Sequence, residues 1–374
     1  MQNKRRKFLH YLGAGAAAGT LTACGNQDTD PFTSMQTSQS QTFEWKMVTT
    51  WPKNFPSLGT GAEFLAKTIN EMSGGRISIK VYGAGEIVPA FEIFDAVTSG
   101  TAEMGHGSPY YWKGKDPAFQ FFSTVPFGMT ANEMNAWLYH GGGMELWRRA
   151  YEPFGLIPMA AGNTGVQMGG WFNKEINSVE DLKGLKMRIP GLGGEVLRLA
   201  GGTPVNVPGG DLFVSLQNGV IDATEWTGPY NDLAFGLHKA AKYYYYPGWH
   251  EPGTVLESFI NKEAFESLPE DLQSIVINAG RVANQDMMLE FIANNDKALQ
   301  ILINEHNVHL REFPTDVMDK LRSLSKQVVE ALAASSPFAE EVYRSYQEFF
   351  ANTRAWSDIS ERAYLNLRET NLLK

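Results

Sequence analysis

Two periodicities take turns along the chain. Phe43, Trp45 and Met47 alternate with Glu44 and Lys46, and Ile77, Ile79 and Val81 alternate with Ser78, Lys80 and Tyr82, which is the period-two pattern of strands. Between them, past a loop at Pro52 to Pro56, apolar residues from Leu58 to Met72 fall at helical spacing until Gly74-Gly75 stops them. A helix over Ala90 to Thr98, a strand over Thr101 to Gly105, helical spacing from Asn132 to Tyr151, and strands at Leu156 to Ala160 and Val166 to Phe172 follow. The rhythm continues through a helix at Gly194 to Ala200, a strand at Thr203 to Val207, a helix at Asp211 to Gln217 and strands at Ile221 to Trp226, Tyr243 to Trp249 and Val255 to Ile260. A long helical segment opens near Leu268-Pro269-Glu270, with proline at a tolerated first-turn position. Beyond a short strand at Val308 to Phe313, the remainder is helical. Strands separated by single helices predict an α/β fold with parallel sheets and right-handed crossovers. Two such blocks, joined by several crossings, predict two lobes around a cleft.

The stretch Ser178 to Gly191 puts one arginine in an unusual place. Ser178 with Asp181 three residues on suits the start of a short helical turn, because both side chains accept free backbone N–H groups. Gly184 suits its end. Leu185, Met187 and Ile189 then face one side of a strand and Lys186 and Arg188 the other, until Pro190-Gly191 stops it. Arg188 is thus presented at the carboxyl end of a strand, where open α/β sheets bind ligands, and its planar fork of donors suits a carboxylate. The alternative is a solvated arginine on the polar face of an edge strand.

A chain of 374 residues, 43% hydrophobic, is long enough for two ordinary domains. Its formal net charge is −9 even with Lys4, Arg5, Arg6 and Lys7 counted, which argues against a nucleic-acid partner. The single cysteine, Cys24, excludes an intrachain disulfide and a cysteine metal cluster. It follows a basic start, an apolar stretch from Phe8 to Leu21 and the run Leu21-Thr22-Ala23. Residues 1–23 therefore read as an export signal, too short in its apolar part to span a membrane. They resemble a bacterial lipoprotein signal that would leave a lipid anchor on Cys24, and Arg5-Arg6-Lys7-Phe8-Leu9 also resembles a twin-arginine signal, although Lys4 departs from it. Residues 24–41, rich in Gln, Ser, Thr and Asp, read as a tether.

Common catalytic signatures are missing: there is no G-x-S-x-G, H-E-x-x-H or Walker loop. Gly191-Leu192-Gly193-Gly194 follows a strand, but Val196 stands where the dinucleotide pattern needs its third glycine. His306, His309 and isolated His106 make no ligand set and read as solvated or core histidines. Glu225 and Glu251 each close a strand, and Gln167 lies on the short strand entering the second lobe. Oxygens at such places suit the cage of a hard cation, Na⁺ or Ca²⁺; the alternative is exposed acids at strand ends. A secreted enzyme using Glu225 and Glu251 as acid and base, with Trp51, Tyr110, Tyr111 and Trp249 lining a sugar site, is the competing class.

From Trp45 to about Leu332 the sequence resembles the DctP-type extracytoplasmic solute-binding proteins of TRAP transporters. The resemblance is carried by Asp181-Leu182-Lys183-Gly184-Leu185-Lys186-Met187-Arg188-Ile189-Pro190, Leu216-Gln217-Asn218-Gly219-Val220-Ile221-Asp222-Ala223 and Leu268-Pro269-Glu270-Asp271-Leu272-Gln273. A closer likeness to the 2-oxo acid-binding branch rests on Thr49-Thr50-Trp51-Pro52, Tyr82-Gly83-Ala84-Gly85-Glu86, Gly162-Asn163-Thr164-Gly165-Val166-Gln167, Ala223-Thr224-Glu225-Trp226 and Tyr246-Pro247-Gly248-Trp249-His250-Glu251-Pro252. The resemblance implies no catalysis. It implies two lobes, 43–165 with 254–293 and 166–253 with 294–335, a long bridging helix, and a C-terminal helical segment 336–374 that pairs two copies into a homodimer. Arg188 would grip a small organic acid, with Gln167, Glu225, Trp226, Tyr111 and Asn163 as further substrate-binding positions. Gln167, Glu225, Trp226 through its backbone oxygen and Glu251 would hold Na⁺ or Ca²⁺. Pyruvate-like 2-oxo acids fit this branch, a 2-hydroxy acid such as lactate would use the same groups, and the closed protein would dock in the periplasm on membrane permease subunits. A lipid-anchored receptor subunit that signals is a further possibility.

Overall fold

The computed structural model describes residues 41–368. The expected signal, Cys24 and nearly all of the tether lie outside the described residues, as does the end of the C-terminal segment. Strands run in chain order as β1 (Phe43–Thr49), β2 (Ile77–Tyr82), β3 (Met104–Gly107), β4 (Leu156–Asn163), β5 (Gly170–Phe172), β6 (Lys186–Arg188), β7 (Thr203–Val205), β8 (Ala223–Thr224), β9 (Tyr243–Tyr246), β10 (Val255–Asn261) and β11 (His309–Glu312). They form one sheet in the order β2-β1-β3-β10-β4 and another in the order β11-β9-β5-β8-β6-β7, each flanked by helices. The expected α/β fold with two sheet-based halves is therefore present.

The sheets are mixed, which corrects the expectation of purely parallel ones. Strand β1 is parallel to β2 and β3, and β6 is parallel to β7 and β8. But β10 runs antiparallel to β3 and β4, and β5 antiparallel to β8 and β9. Both exceptions are strands that arrive from the other sheet with no helix before them, so the crossover rule has nothing to act on. These two crossings, after β4 and after β9, lie side by side. Thr164 N–H donates to the Thr254 carbonyl (3.0 Å), Gln167 N–H to Glu251 (3.1 Å) and Gly248 N–H to Gln167 (3.0 Å).

Other differences have local causes. The helix expected over Asn132 to Tyr151 is two helices, Ala131–His140 and Gly143–Tyr151, because Gly142 takes a left-handed conformation with φ 87. Strands expected to reach Trp226 and Trp249 stop at Thr224 and Tyr246, where the chain leaves the sheet toward the cleft. A seven-residue helix, Pro229–Phe235, was not expected.

The long helix Glu270–Asn304 packs on β4 and helix Leu58–Met72 at one end and on helix Pro229–Phe235 at the other. Its Val276, Ala279 and Ala283 join Met47, Leu65 and Ile69 in one core, and its Phe291 and Leu302 join Trp171, Leu216 and Tyr244 in another. Burying each large apolar side chain contributes about 1.5–3 kcal/mol, so this helix stabilises both halves at once. The C-terminal segment is a helix Pro337–Ile359, interrupted at Ser360, and a second helix Glu361–Leu367. Val342 and Tyr346 are buried against the chain's own core and Phe349 and Phe350 pack on it, whereas Trp356, Ile359 and Leu365 are exposed. Among the described residues, no helix is long and apolar enough to cross a membrane.

Candidate functional site

Ser178 and Asp181 form the expected capping box, the Asp181 carboxylate accepting the N–H groups of Asn177 (2.9 Å) and Ser178 (3.0 Å). The next strand, β6, lies between β7 and β8, so Arg188 at its end is 1% exposed, and the solvated alternative is ruled out. Strand register sets Arg188 beside Thr224, and the Glu225 N–H donates to the Arg188 carbonyl (3.2 Å). The side chains meet as well. Arg188 Nη1 pairs with the Glu225 carboxylate, Nε donates to the Val207 carbonyl (3.2 Å) and Nη2 donates to the Tyr111 hydroxyl (3.2 Å). Its guanidinium lies 5.0 Å from the Trp226 ring. Burial disfavours this charge, but Glu225 and its neighbours outweigh that and keep Arg188 protonated. Tyr111 stands on the short turn Pro109–Trp112 next to β3, so the contact ties the two sheets together.

Beside the ion pair are the two crossings. Glu251 is buried, and its Oε2 accepts from Thr254 Oγ1 (2.6 Å) and Gln167 Nε2 (2.7 Å); Gln167 Nε2 also donates to Thr164 Oγ1 (3.1 Å). Glu225 Oε2, Gln167 Oε1 and both ring nitrogens of His250 are buried without a hydrogen-bond partner. His250 Nε2 lies 3.5 Å from Glu225 Oε2, and one donor atom each of Glu225, His250 and Glu251 fall within 4.8 Å of one another. Burial first, and the Glu225 charge second, push Glu251 up to about 7. Two buried carboxylates and an orphaned amide oxygen, all acceptors, are costly together, and a hard cation among them would relieve that cost.

The structure brings Gln167, Arg188, Glu225, Trp226, Tyr111 and Glu251 to one place. Gln167, Arg188, Trp226 and Tyr111 line a small cavity with Trp51, Leu58 and Leu256. Asn163 sits behind it at the end of β4, its Oδ1 accepting the Gly165 N–H (2.8 Å) and its Nδ2 buried without a partner. The glycines at Gly191 and Gly193 serve close packing, since a Cβ there would come within 3.3 Å of Tyr110 and 3.0 Å of His250. Trp249 stacks on Phe127 (5.9 Å). His306 stacks on His238 (4.1 Å), and His309 lies against Tyr243 with the rings tilted (5.6 Å).

Sequence reasoning missed His250, Thr164 and Thr254 as neighbours of the site. A signal for the threonines was present: Thr164 precedes Gln167 by three residues and Thr254 follows Glu251 by three.

Residues 47–336 match the family model DctP, described as bacterial extracellular solute-binding protein, family 7. The chain is 42% identical over 370 residues to a monocarboxylate 2-oxoacid-binding periplasmic protein of Nostoc sp. (strain PCC 7120), covering 98% of this chain and 100% of that one. It is similar to the crystal structure of a TRAP periplasmic solute binding protein from Pseudoalteromonas atlantica T6c with bound sodium and pyruvate, at TM-score 0.86 and 45% identity, over 88% of this chain and 100% of the other. A TRAP periplasmic solute binding protein from Colwellia psychrerythraea with bound calcium and pyruvate gives TM-score 0.85 and 46% identity over the same shares.

Proposed function

The chain belongs to the bacterial extracellular solute-binding protein family 7, DctP, and on that premise we propose that it captures a small 2-oxo acid, pyruvate or a near homologue, outside the cytoplasm for a TRAP membrane permease. This is binding without chemistry. The observation that carries the reading is the buried Arg188 fork next to orphaned oxygens of Gln167 and Glu225, between two sheets joined by a pair of crossings. The relatives from Nostoc, Pseudoalteromonas and Colwellia support the ligand class.

The acid's carboxylate takes the guanidinium fork of Arg188, where two parallel N–H groups match two oxygens. The Tyr111 hydroxyl, already beside Nη2, adds a polar contact from the opposite sheet. Gln167, Glu225, the Trp226 carbonyl and Glu251 would hold a Na⁺ or Ca²⁺ ion, which would supply positive charge to offset the two glutamates and to attract the acid's oxygens. Thr254 and Thr164 orient the Glu251 and Gln167 side chains through their hydroxyls. The lobes, 43–165 with 254–293 and 166–253 with 294–335, close about the paired crossings.

Three further readings complete the proposal. Residues 1–23 direct export, and Cys24 carries a lipid that 24–41 tethers to the folded part. Segment 336–374 joins two copies: Trp356, Ile359, Tyr364, Leu365 and Leu367 are each more than half exposed, an apolar face that a second copy would cover. Light scattering at micromolar concentration, with and without Trp356→Ser and Leu367→Ser together, checks this, and a monomeric wild type discards it.

The central test is calorimetric titration with pyruvate, 2-oxobutyrate, lactate, succinate and a neutral sugar, before and after stripping ligand and metal. Tight 2-oxo acid binding that weakens on metal removal is expected. Preference for a sugar or dicarboxylate, or indifference to metal, overturns the ligand class or the cation set.

A further inference from the structure

We infer that Trp51, locked in place by His106, is the wall that limits the chain length of the acid this cleft accepts. The inference rests on the 2-oxo acid reading above and adds to it a specificity-determining residue and a positioning residue.

Trp51 follows β1 in a loop, where an indole would ordinarily choose among rotamers. Here it is held from two directions. Its carbonyl accepts from Thr49 Oγ1 (2.9 Å), and its Nε1–H donates to His106 Nδ1 (2.8 Å). Strand register makes this possible, since Thr49 of β1 lies directly beside His106 of β3. His106 is wholly buried and its Nε2 faces the Ala161 carbonyl at 3.3 Å. One nitrogen must therefore accept and the other donate, which is the neutral tautomer with its proton on Nε2. Burial pushes His106 down to about 4, so it stays neutral at ordinary pH.

The locked indole faces the substrate groups. It meets the Trp226 ring edge-on at 6.0 Å and the Tyr111 ring at 6.2 Å, and those two residues flank the Arg188 guanidinium. With Leu58 and Leu256 it forms the apolar side of the small cavity that Arg188 also lines. An acid whose carboxylate sits on Arg188 shares this cavity with Trp51, so its tail runs against the indole. A longer one must displace Trp51 and break its bond to His106.

The test measures dissociation constants for pyruvate, 2-oxobutyrate and 2-oxohexanoate on the calcium-loaded full chain and four variants. Wild type is expected to favour pyruvate over 2-oxohexanoate by at least about 100-fold, and Trp51→Ala to shrink that ratio by at least about tenfold. Trp51→Phe, which keeps bulk but loses the hydrogen bond, and His106→Phe should shift it in the same direction by less. His106→Gln can accept through Oε1 and donate through Nε2, and is expected to restore the wild-type ratio. A ratio unchanged in both Trp51 variants, or a wild type that takes the long acid equally well, overturns the wall. A shift in Trp51→Ala with none in His106→Phe overturns the lock. Flat titrations with all three acids in wild type would instead sink the 2-oxo acid reading, and this inference with it.

Discussion

Two of the regions that bury acids among the described residues, the first sheet and the cleft, are not alike. Glu257 of β10 lies under the first sheet, its Oε1 accepting from Trp112 Nε1 (2.6 Å) and its Oε2 from the Tyr151 hydroxyl (2.7 Å). Both oxygens are engaged by neutral donors, and burial pushes the carboxyl up to about 8. In the cleft, Glu225 is paired with Arg188 yet keeps an orphaned Oε2, while Gln167 and His250 beside it also keep unpartnered atoms. Burial is complete in both places, so burial does not tell them apart. What separates them is satisfaction: the first acid is closed upon itself as structure, and the second presents acceptors with no protein partner next to a cation.

The largest expected effect follows from removing that cation. Arg188→Ala takes away the arginine half of a buried ion pair with Glu225, a loss of about 3–5 kcal/mol in comparable pairs, and removes the carboxylate fork. Acid binding should fall by more than about 100-fold in titration, with thermal unfolding run alongside to check that the variant folds. Arg188→Lys, which keeps charge without the planar fork, should fall between. An unchanged dissociation constant in Arg188→Ala would remove the residue from the site.

Next in size is the orphaned-acceptor side. Glu251→Gln or Glu225→Gln should lower acid affinity and bound metal together, by at least roughly tenfold, since even outer ligands of metal sites cost about 10–100-fold. Metal content by elemental analysis after dialysis supplies the second readout. Loss of neither would make the cleft acids structural, like Glu257, and erase the contrast between the two regions.

Glu257 should behave in the opposite way, changing stability and not binding. Its folded-state pKa lies above the ordinary value, so the native state holds a proton that the unfolded chain releases. Its contribution is then fully present below about 4.5 and lost as pH rises toward about 8, at about 1.4 kcal/mol per unit at most. Glu257→Gln, neutral at every pH, should flatten the fall in unfolding free energy across that window and leave acid affinity unchanged. Denaturant titrations at pH 5 and 8 check it; a slope as steep in the variant as in wild type would assign the pH dependence to other groups.

How much of this was legible in advance depends on the range of the interaction. The turn Val179–Leu182, the strand bearing Arg188 and the stop at Pro190 are written within fourteen residues, and the structure repeats them. Glu225 and Glu251 stood out as acids expected to close strands, and Gln167 as a polar residue on the strand expected from Val166. In the structure β8 and β9 stop short of both glutamates and β5 begins only at Gly170, so all three lie in the segments that leave or join the sheets. The antiparallel entry of β10 and β5 was not legible, because no local pattern records which sheet a strand returns to. His106 and Trp51, read apart, gave one unremarkable core histidine and one aromatic; only the pairing of β1 with β3 brings residues 55 apart into hydrogen-bond contact. The grouping of His250 with Glu225 needs the segments after β8 and β9 to converge, which periodicity does not encode.

The smallest effect belongs to charges that water still reaches. Arg149 grips Glu341 of the C-terminal helix with both terminal nitrogens, at 2.7 and 2.9 Å, in the same fork geometry that Arg188 offers in the cleft. Yet the two side chains are 46% and 38% exposed, so solvent screens the pair and its removal leaves neither charge stranded. The coupling in an Arg149→Ala and Glu341→Ala double-mutant cycle should stay below about 1 kcal/mol and shrink further in 1 M salt. The cycle is needed because Arg149 also lies 5.3 Å from the Phe338 ring, a contact the single variant would lose as well. A coupling above about 2 kcal/mol that ignores salt would mean geometry alone sets the strength of an arginine fork, and burial would no longer explain why Arg188 matters more.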